Sequence, residues 1–271
     1  MNLINIYCIT SENHNYLNSL PIKKIISGSI SKDVSLFPDQ WIRDNNGVNI
    51  SYKNLNFGTL TSHYWLWKNQ LDKHHDNEWI GFCHYRRFWI KNNIKTEINI
   101  KNLKDNILKE LPHFEDGTNA ILPDKIILKN LKLSKLLKKG FKNYIRNPKL
   151  LFSHKLININ LHFDLFHGYD LLNRSARHLN SEDQKDFINY INSKKSFYPL
   201  QIFITKPDIL KKLYHKTFKW IFCCEKEFTD LKLEGYGKTR LYDFLAERYF
   251  SFFFEKYTKI KTWPYILLNK F

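Results

Sequence analysis

The run Trp79-Ile80-Gly81-Phe82-Cys83 constrains the fold more than any other stretch of this chain, because five consecutive apolar residues leave no face for water. A strand of that kind belongs inside a sheet covered on both sides, the usual situation in parallel α/β sheets. The run gives way at once to His84-Tyr85-Arg86-Arg87. Open α/β sheets bind ligands just beyond the carboxyl ends of their strands. The strand therefore delivers an imidazole and two permanent cations to the place where a ligand would lie. A guanidinium carries five donors and keeps its charge, which suits a phosphate or diphosphate. The competing reading is an exposed arginine pair that merely ends a strand. Because alternate residues of a strand face opposite ways, both arginines reach one ligand only if the chain turns near His84.

The rest of the pattern fits the same class. Residues 3–9 read as a first buried strand, followed by a turn-rich stretch with Pro21, Gly28, Pro38 and Asp44-Asn45-Asn46-Gly47. A helix is expected over 59–71, with Leu60, Tyr64, Trp67 and Leu71 on its apolar face. Ala120-Ile121-Leu122 is a further short strand closed by Pro123. This order predicts an α/β fold, with a mostly parallel central sheet flanked by helices. Helices are then expected over 164–179 and over 181–191, the second opened by a Ser181/Gln184 capping box. A strand follows over 200–204, then helices over 208–228 and 239–257. The last is so aromatic (Tyr249, Phe250, Phe252, Phe253, Phe254, Tyr257) that it should be buried on more than one side.

With 43 basic and 26 acidic residues the chain carries a formal charge of +17, which calls for an anionic partner or surface. The distribution is sharper than the sum. From Lys125 to His162 there is no carboxylate but ten Lys or Arg, and Leu128, Leu131, Leu136, Leu137 and Phe141 recur at helical spacing. A basic amphipathic insertion at about 125–160, lying on an anionic membrane surface, is the expectation; a solvated surface helix is the plain alternative. The remainder reads as a single domain over 1–271. A basic nucleic-acid-binding protein without enzymatic activity is the rival reading of the charge, but it leaves the arginines behind a buried strand unexplained. Cys8, Cys83, Cys223 and Cys224 form no C-x-x-C pair and sit mostly in apolar runs, as reduced thiols of a cytoplasmic protein do. No signal-like leader and no membrane-length apolar run is present, so the expected location is cytoplasmic, peripheral to the inner face of the membrane.

Glycine-rich phosphate loops, nucleophile elbows and cysteine zinc patterns are absent from the sequence, and so is a D-x-D pair for holding a divalent ion on a diphosphate. His74-His75 with Asp72 and Asp76 lies in a hydrophilic turn and reads as solvated rather than as a metal site. The ordered blocks Asp44-Asn-Asn-Gly-Val-Asn-Ile-Ser51, Leu60-Thr61-Ser-His-Tyr64-Trp65-Leu-Trp67-Lys68-Asn69 and Ile80-Gly81-Phe82-Cys83-His84-Tyr85-Arg86-Arg87-Phe88 resemble a bacterial family. It is the one known as domain of unknown function 4422, whose members are regarded as capsular and exopolysaccharide glycosyltransferases. His167-Gly-Tyr-Asp170, Gln201-Ile-Phe-Ile-Thr-Lys and Arg240-Leu-Tyr-Asp-Phe-Leu-Ala-Glu247-Arg248 resemble its downstream blocks. The chain departs from the family pattern at Thr10, Asn46, Thr59 and Gln201, which puts the donor sugar in doubt.

The resemblance implies a GT-A-like fold and transfer of a hexose, such as galactose or galactofuranose, from a UDP-sugar to a surface-polysaccharide or lipid-linked glycan. It places Thr10, Asp44, Asn49, Ser51, Asn54, Thr61, Arg86 and Arg87 at the donor, although a self-bonded Asx-rich turn would account for about half of the polar residues. His167, Gln201 and Arg240 are candidates for the acceptor. Glu247, Asp170 and His84 are candidates to take the acceptor's proton. With arginine neutralising the leaving diphosphate, no cofactor and no divalent metal is expected to be required.

Overall fold

The computed structural model describes residues 2–92, 94, 96–112, 114, 117–128 and 157–268. Two compact units are present, one of residues 1–124, 200–215 and 254–271, the other of residues 125–199 and 216–253. Of the basic segment expected at about 125–160, residues 129–156 lie outside the described residues.

The strands are β1 (Asn2–Thr10), β2 (Lys23–Ile26), β3 (Ile42–Arg43), β4 (Trp79–His84), β5 (Arg87–Trp89), β6 (Glu110–Leu111), β7 (Ala120–Leu122), β8 (Ile126–Ile127), β9 (Ser196–Phe197), β10 (Ile204–Thr205), β11 (Ile260–Thr262) and β12 (Tyr265–Leu267). In the first unit they form one mixed, mostly parallel sheet in the order β11-β7-β10-β4-β1-β2-β3. β1 lies in parallel between β2 and β4, and β3 continues the parallel run beyond β2. β10 runs antiparallel between β4 and β7, while β5 folds back on β4 and pairs with β12.

The centre of this sheet is buried on both faces, as its unbroken apolar runs require. Ile6, Cys8 and Cys83 face a core with Leu17, Phe37, Trp41 and Trp89. On the other face Phe82 packs against the ring of His63 at 4.4 Å and that of Phe203 at 5.1 Å. Gly81 lets the strands pack closely here: a Cβ would stand 3.0 Å from Ile204 and 3.3 Å from Ile6, so both side chains would have to give by a few tenths of an ångström.

Two expectations need correction. The helix Leu60–Asn69 buries Leu60, Thr61, Ser62, His63, Trp65 and Leu66, whereas Tyr64 and Trp67 of the expected apolar stripe stay half-exposed. Its buried side is half polar because those groups find partners inside: His63 Nδ1 meets the Tyr214 hydroxyl at 2.7 Å and Thr61 bonds a buried carboxylate. The strand expected over 200–204 is reduced to β10, because Leu200 and Gln201 both adopt left-handed backbone at φ 76° and 51°.

His63 also makes acid sensitivity predictable. Burial, with the nearby His84 adding repulsion, lowers its pKa from 6.5 to about 3. Unfolding restores the ordinary value, so between those pH values the unfolded chain binds the extra proton and stability falls as pH falls. From pH 7 to pH 5 this one group should cost about 2 kcal/mol. Urea midpoints at the two pH values should therefore differ less in His63→Gln than in the wild-type protein.

The second unit is helical, with β8 and β9 as a small antiparallel ladder. The single helix expected over 164–179 is two, Ile159–Phe166 and Leu171–Ala176, broken where Gly168 and Asp170 take positive φ. The helix Ser181–Ser193 is capped by Asn180, whose side chain accepts from the Asp183 N–H, and not by a Ser181 box. Tyr249, Phe250, Phe252, Phe253 and Phe254 are all buried, as the density of aromatics in that helix led one to expect. Phe187, Trp220, Tyr249 and Phe252 form a ring cluster with centroids 5.2–5.8 Å apart.

Candidate functional site

β4, β1, β2 and β3 are mutually parallel and end on one edge of the sheet. From β1 the chain proceeds outward to β2 and β3, then returns to the opposite side of β1 as β4. That reversal is a topological switch point, the position at which open α/β sheets characteristically bind their ligands.

The ends of β1, β4 and β3 each carry a candidate residue. β1 ends at Thr10, fully buried, whose hydroxyl donates to the Glu12 carbonyl and accepts from the Glu12 N–H, shaping the loop that follows. β4 ends at His84, and Tyr85-Arg86 form a two-residue turn before Arg87 pairs back with His84. The turn near His84 is therefore present, but it frees Arg86 alone: Arg87 is the first residue of β5 and stays in the sheet, paired with His84 and Leu267. Arg86 and Arg87 are half-buried, and the Arg86 guanidinium lies 5.6 Å from the Tyr85 ring. The turn is braced from the β1 side: Tyr16 donates its hydroxyl to the Tyr85 carbonyl, Tyr85 donates to Glu12 at 3.3 Å, and His14 stacks on Tyr85 at 5.4 Å.

Beside this brace opens a cavity of about 530 Å³, lined by residues 11–14, Lys32, Asp33, Leu36 and Phe37. Its size is that of a small-molecule site. Arg86 and Arg87 are not among its lining residues; Glu12 and His14 connect it to their turn. Glu12, His14 and Lys32 were not singled out from sequence. The signal that marks Glu12 and His14 is their position directly after a buried strand; Lys32 had no comparable signal.

Asp44, immediately after β3, organises the neighbouring turns. It is fully buried, and its Oδ1 accepts from the Ser29 N–H at 2.9 Å, the Ser29 hydroxyl at 2.7 Å and the Ser51 hydroxyl at 2.8 Å. Its Oδ2 accepts from the Gly28 N–H at 2.8 Å and the Thr61 hydroxyl at 2.7 Å. Asn54 donates to Ser27, Thr61 and the Gly58 carbonyl, while Asn49 bonds back to its own turn. Gly28 sits at φ +67°, where a Cβ would fall 2.5 Å from Asn54. These donor candidates thus bond one another: Asp44, Ser51 and Thr61 fix the wall beside the switch point, which is the self-bonded alternative weighed for this loop. Gln201, also buried, accepts from Thr59 at 3.4 Å.

The remaining candidates lie in the second unit. Arg248 is buried, ion-paired with Glu247, 3.3 Å from His162 Nδ1 and stacked over Phe197 at 3.9 Å. Glu247 is consequently held by a buried guanidinium, and Arg240 is half-exposed. Burial and the positive Arg248 keep His162 neutral, well below its usual pKa. Asp170 lends its N–H to Asp164, a carboxyl that burial raises to about 6. His167 donates from Nδ1 to the Gly237 carbonyl at 2.9 Å and stacks on Phe244 at 3.9 Å.

A family model described as a domain of unknown function (DUF4422) matches residues 5–259. A solved structure, the apo form of the bifunctional glycosyltransferase WbbM, superimposes with a TM-score of 0.61 at 20% identity, covering 99% of this chain. The chain spans 46% of the length of that protein. Among curated proteins none matches.

Proposed function

The chain belongs to the DUF4422 family, and from that membership and the geometry above we propose that it is a glycosyltransferase of GT-A-like fold, acting on a nucleotide-diphosphate sugar. The observation that carries this reading is the Tyr85-Arg86 turn at the switch point between β1 and β4. A diphosphate placed there meets the guanidinium of a turn whose other residue, Tyr85, is held by Tyr16, His14 and Glu12. As the sugar–phosphate bond breaks, negative charge grows on the departing diphosphate, and a cation already in position stabilises it without reorganisation. Arg86 and Arg87 are proposed for that role, with the nucleoside in the adjoining cavity against Lys32 and His14.

The acceptor hydroxyl must lose a proton to a base. His84, next to the arginines, and Glu247 and Asp170 in the second unit are the proposed bearers; His167, Gln201 and Arg240 are proposed acceptor contacts. UDP is the proposed nucleotide, a hexose such as galactose or galactofuranose the transferred group, and a lipid-linked or growing surface glycan the acceptor. Association with the inner face of the cytoplasmic membrane is part of the same proposal. Among the described residues no helix is long and apolar enough to cross a membrane.

The test is release of nucleoside diphosphate from a panel of nucleotide sugars, with and without EDTA. Turnover of a UDP-sugar that survives EDTA is the expected result; abolition by EDTA would reassign charge neutralisation to a metal and its carboxylate ligands. Turnover of no nucleotide sugar, together with tight salt-sensitive RNA binding, would favour the nucleic-acid reading instead.

A further inference from the structure

The wall that Asp44 fixes carries an unusual outer surface. Residues 51–57 form a short continuous helical stretch on which Tyr52 and Leu55, three apart, share one side, 65% and 70% exposed. Ile30, 57% exposed, projects from the adjoining turn, whose Ile30 N–H donates to Ser51 at 3.3 Å. Tyr64 is also close, its phenol raised by burial and by the nearby Tyr52. Along the same helix Tyr64 and Trp67 make an edge-on pair at 5.9 Å, and the Lys68 ammonium stands 3.5 Å over the Trp67 ring. Lys53 lies 5.3 Å over Tyr52. Between Asp44 and Asp72 the chain has no carboxylate at all. Apolar tips, half-exposed Tyr and Trp, and lysines laid along the rings in a carboxylate-free stretch, with Asp33 beyond Ile30 as the neighbouring acid, are the composition of a surface that settles into the headgroup layer of a bilayer.

We propose that Ile30, Tyr52, Leu55, Tyr64 and Trp67, with Lys53 and Lys68, form a docking surface for an anionic lipid bilayer. The occupant is chosen by charge: lysines without carboxylates complement an anionic surface and repel a second copy of a chain that carries +17. The surface is built on the turns that follow β2 and β3, on the sheet edge of the proposed donor site, so docking would set that site beside the lipids that display a lipid-linked acceptor. The inference deepens the proposed function by adding a membrane contact separate from residues 125–160, and it rests on that reading only for its purpose.

The experiment is co-sedimentation of the full chain with phosphatidylcholine vesicles, with and without phosphatidylglycerol. Wild-type protein should bind only the anionic vesicles. Ile30→Ser/Leu55→Ser should lose at least about tenfold in partitioning, and Lys53→Gln/Lys68→Gln about fivefold for each lysine. Thermal midpoints and UDP binding, measured on the same samples, should stay at wild-type values. Vesicle binding unchanged in both variants, or a change in self-association without a change in vesicle binding, would overturn the docking surface. Absence of UDP binding in the wild-type protein would instead count against the proposed function and leave the vesicle result standing.

Discussion

Asp44→Asn is expected to unfold at a clearly lower temperature than the wild-type protein and to bind its nucleotide poorly. The carboxylate accepts five hydrogen bonds, two from backbone N–H groups that cannot reorient. An amide presents NH₂ to at least one of those fixed donors, leaving a buried donor facing a donor. Losing such a charge-assisted bond and stranding its partner costs about 3 kcal/mol. For a chain of this size that corresponds to roughly 6–10 °C in the thermal midpoint. Scanning calorimetry gives the answer; a midpoint within a degree of wild type would mean that the Gly28, Ser29, Ser51 and Thr61 contacts are not what holds the turns. Because Asn54 packs under Gly28, the same lesion should loosen the loop after β2.

Arg86→Ala carries the other large effect, on turnover rather than on folding. The side chain is half-buried in a two-residue turn whose shape is held by backbone pairing and by Tyr16, so the turn should survive its removal. If the guanidinium faces the growing charge of the leaving group, its loss should lower kcat by about 10²–10³. Arg86→Lys should restore only part of this, since an ammonium keeps the charge but not the planar fork. Arg87→Ala, measured in parallel, tells which of the two arginines acts. A kcat for Arg86→Ala close to the wild-type value would assign the diphosphate to other cations, Lys32 first.

Some of this was legible in the sequence because the pattern allowed one physical solution. A five-residue apolar run can only be a doubly covered strand, and β4 is that strand. Two arginines after it need a turn for both to leave the sheet; the turn is there, but it carries Arg86 alone, and Arg87 starts β5. The candidate wall was legible only as a set of residues. Asp44, Ser51 and Thr61 are named by sequence, but spacing does not reveal whether polar groups face a ligand or each other, and here they face each other. The helix Leu60–Asn69 was misjudged for the same reason: Tyr64 and Trp67 read as part of its buried stripe, whereas Thr61 and His63 go inside because they find buried partners there. The apolar run 200–204 announces a strand here, but β10 keeps only Ile204–Thr205, whose place is set by β4 and β7 on either side. Left-handed backbone at Leu200 and Gln201, neither of them glycine, had no signal at all.

The most direct test is calorimetric titration of UDP into wild-type protein and into Arg86→Ala/Arg87→Ala, both confirmed folded by their thermal midpoints. Saturable binding by the wild-type chain, weakened by about a hundredfold in the double variant, is what two charge-assisted contacts to a diphosphate predict. Equal affinity in the two proteins, or no heat from UDP or any other nucleoside diphosphate, would contradict a diphosphate site at the end of β4.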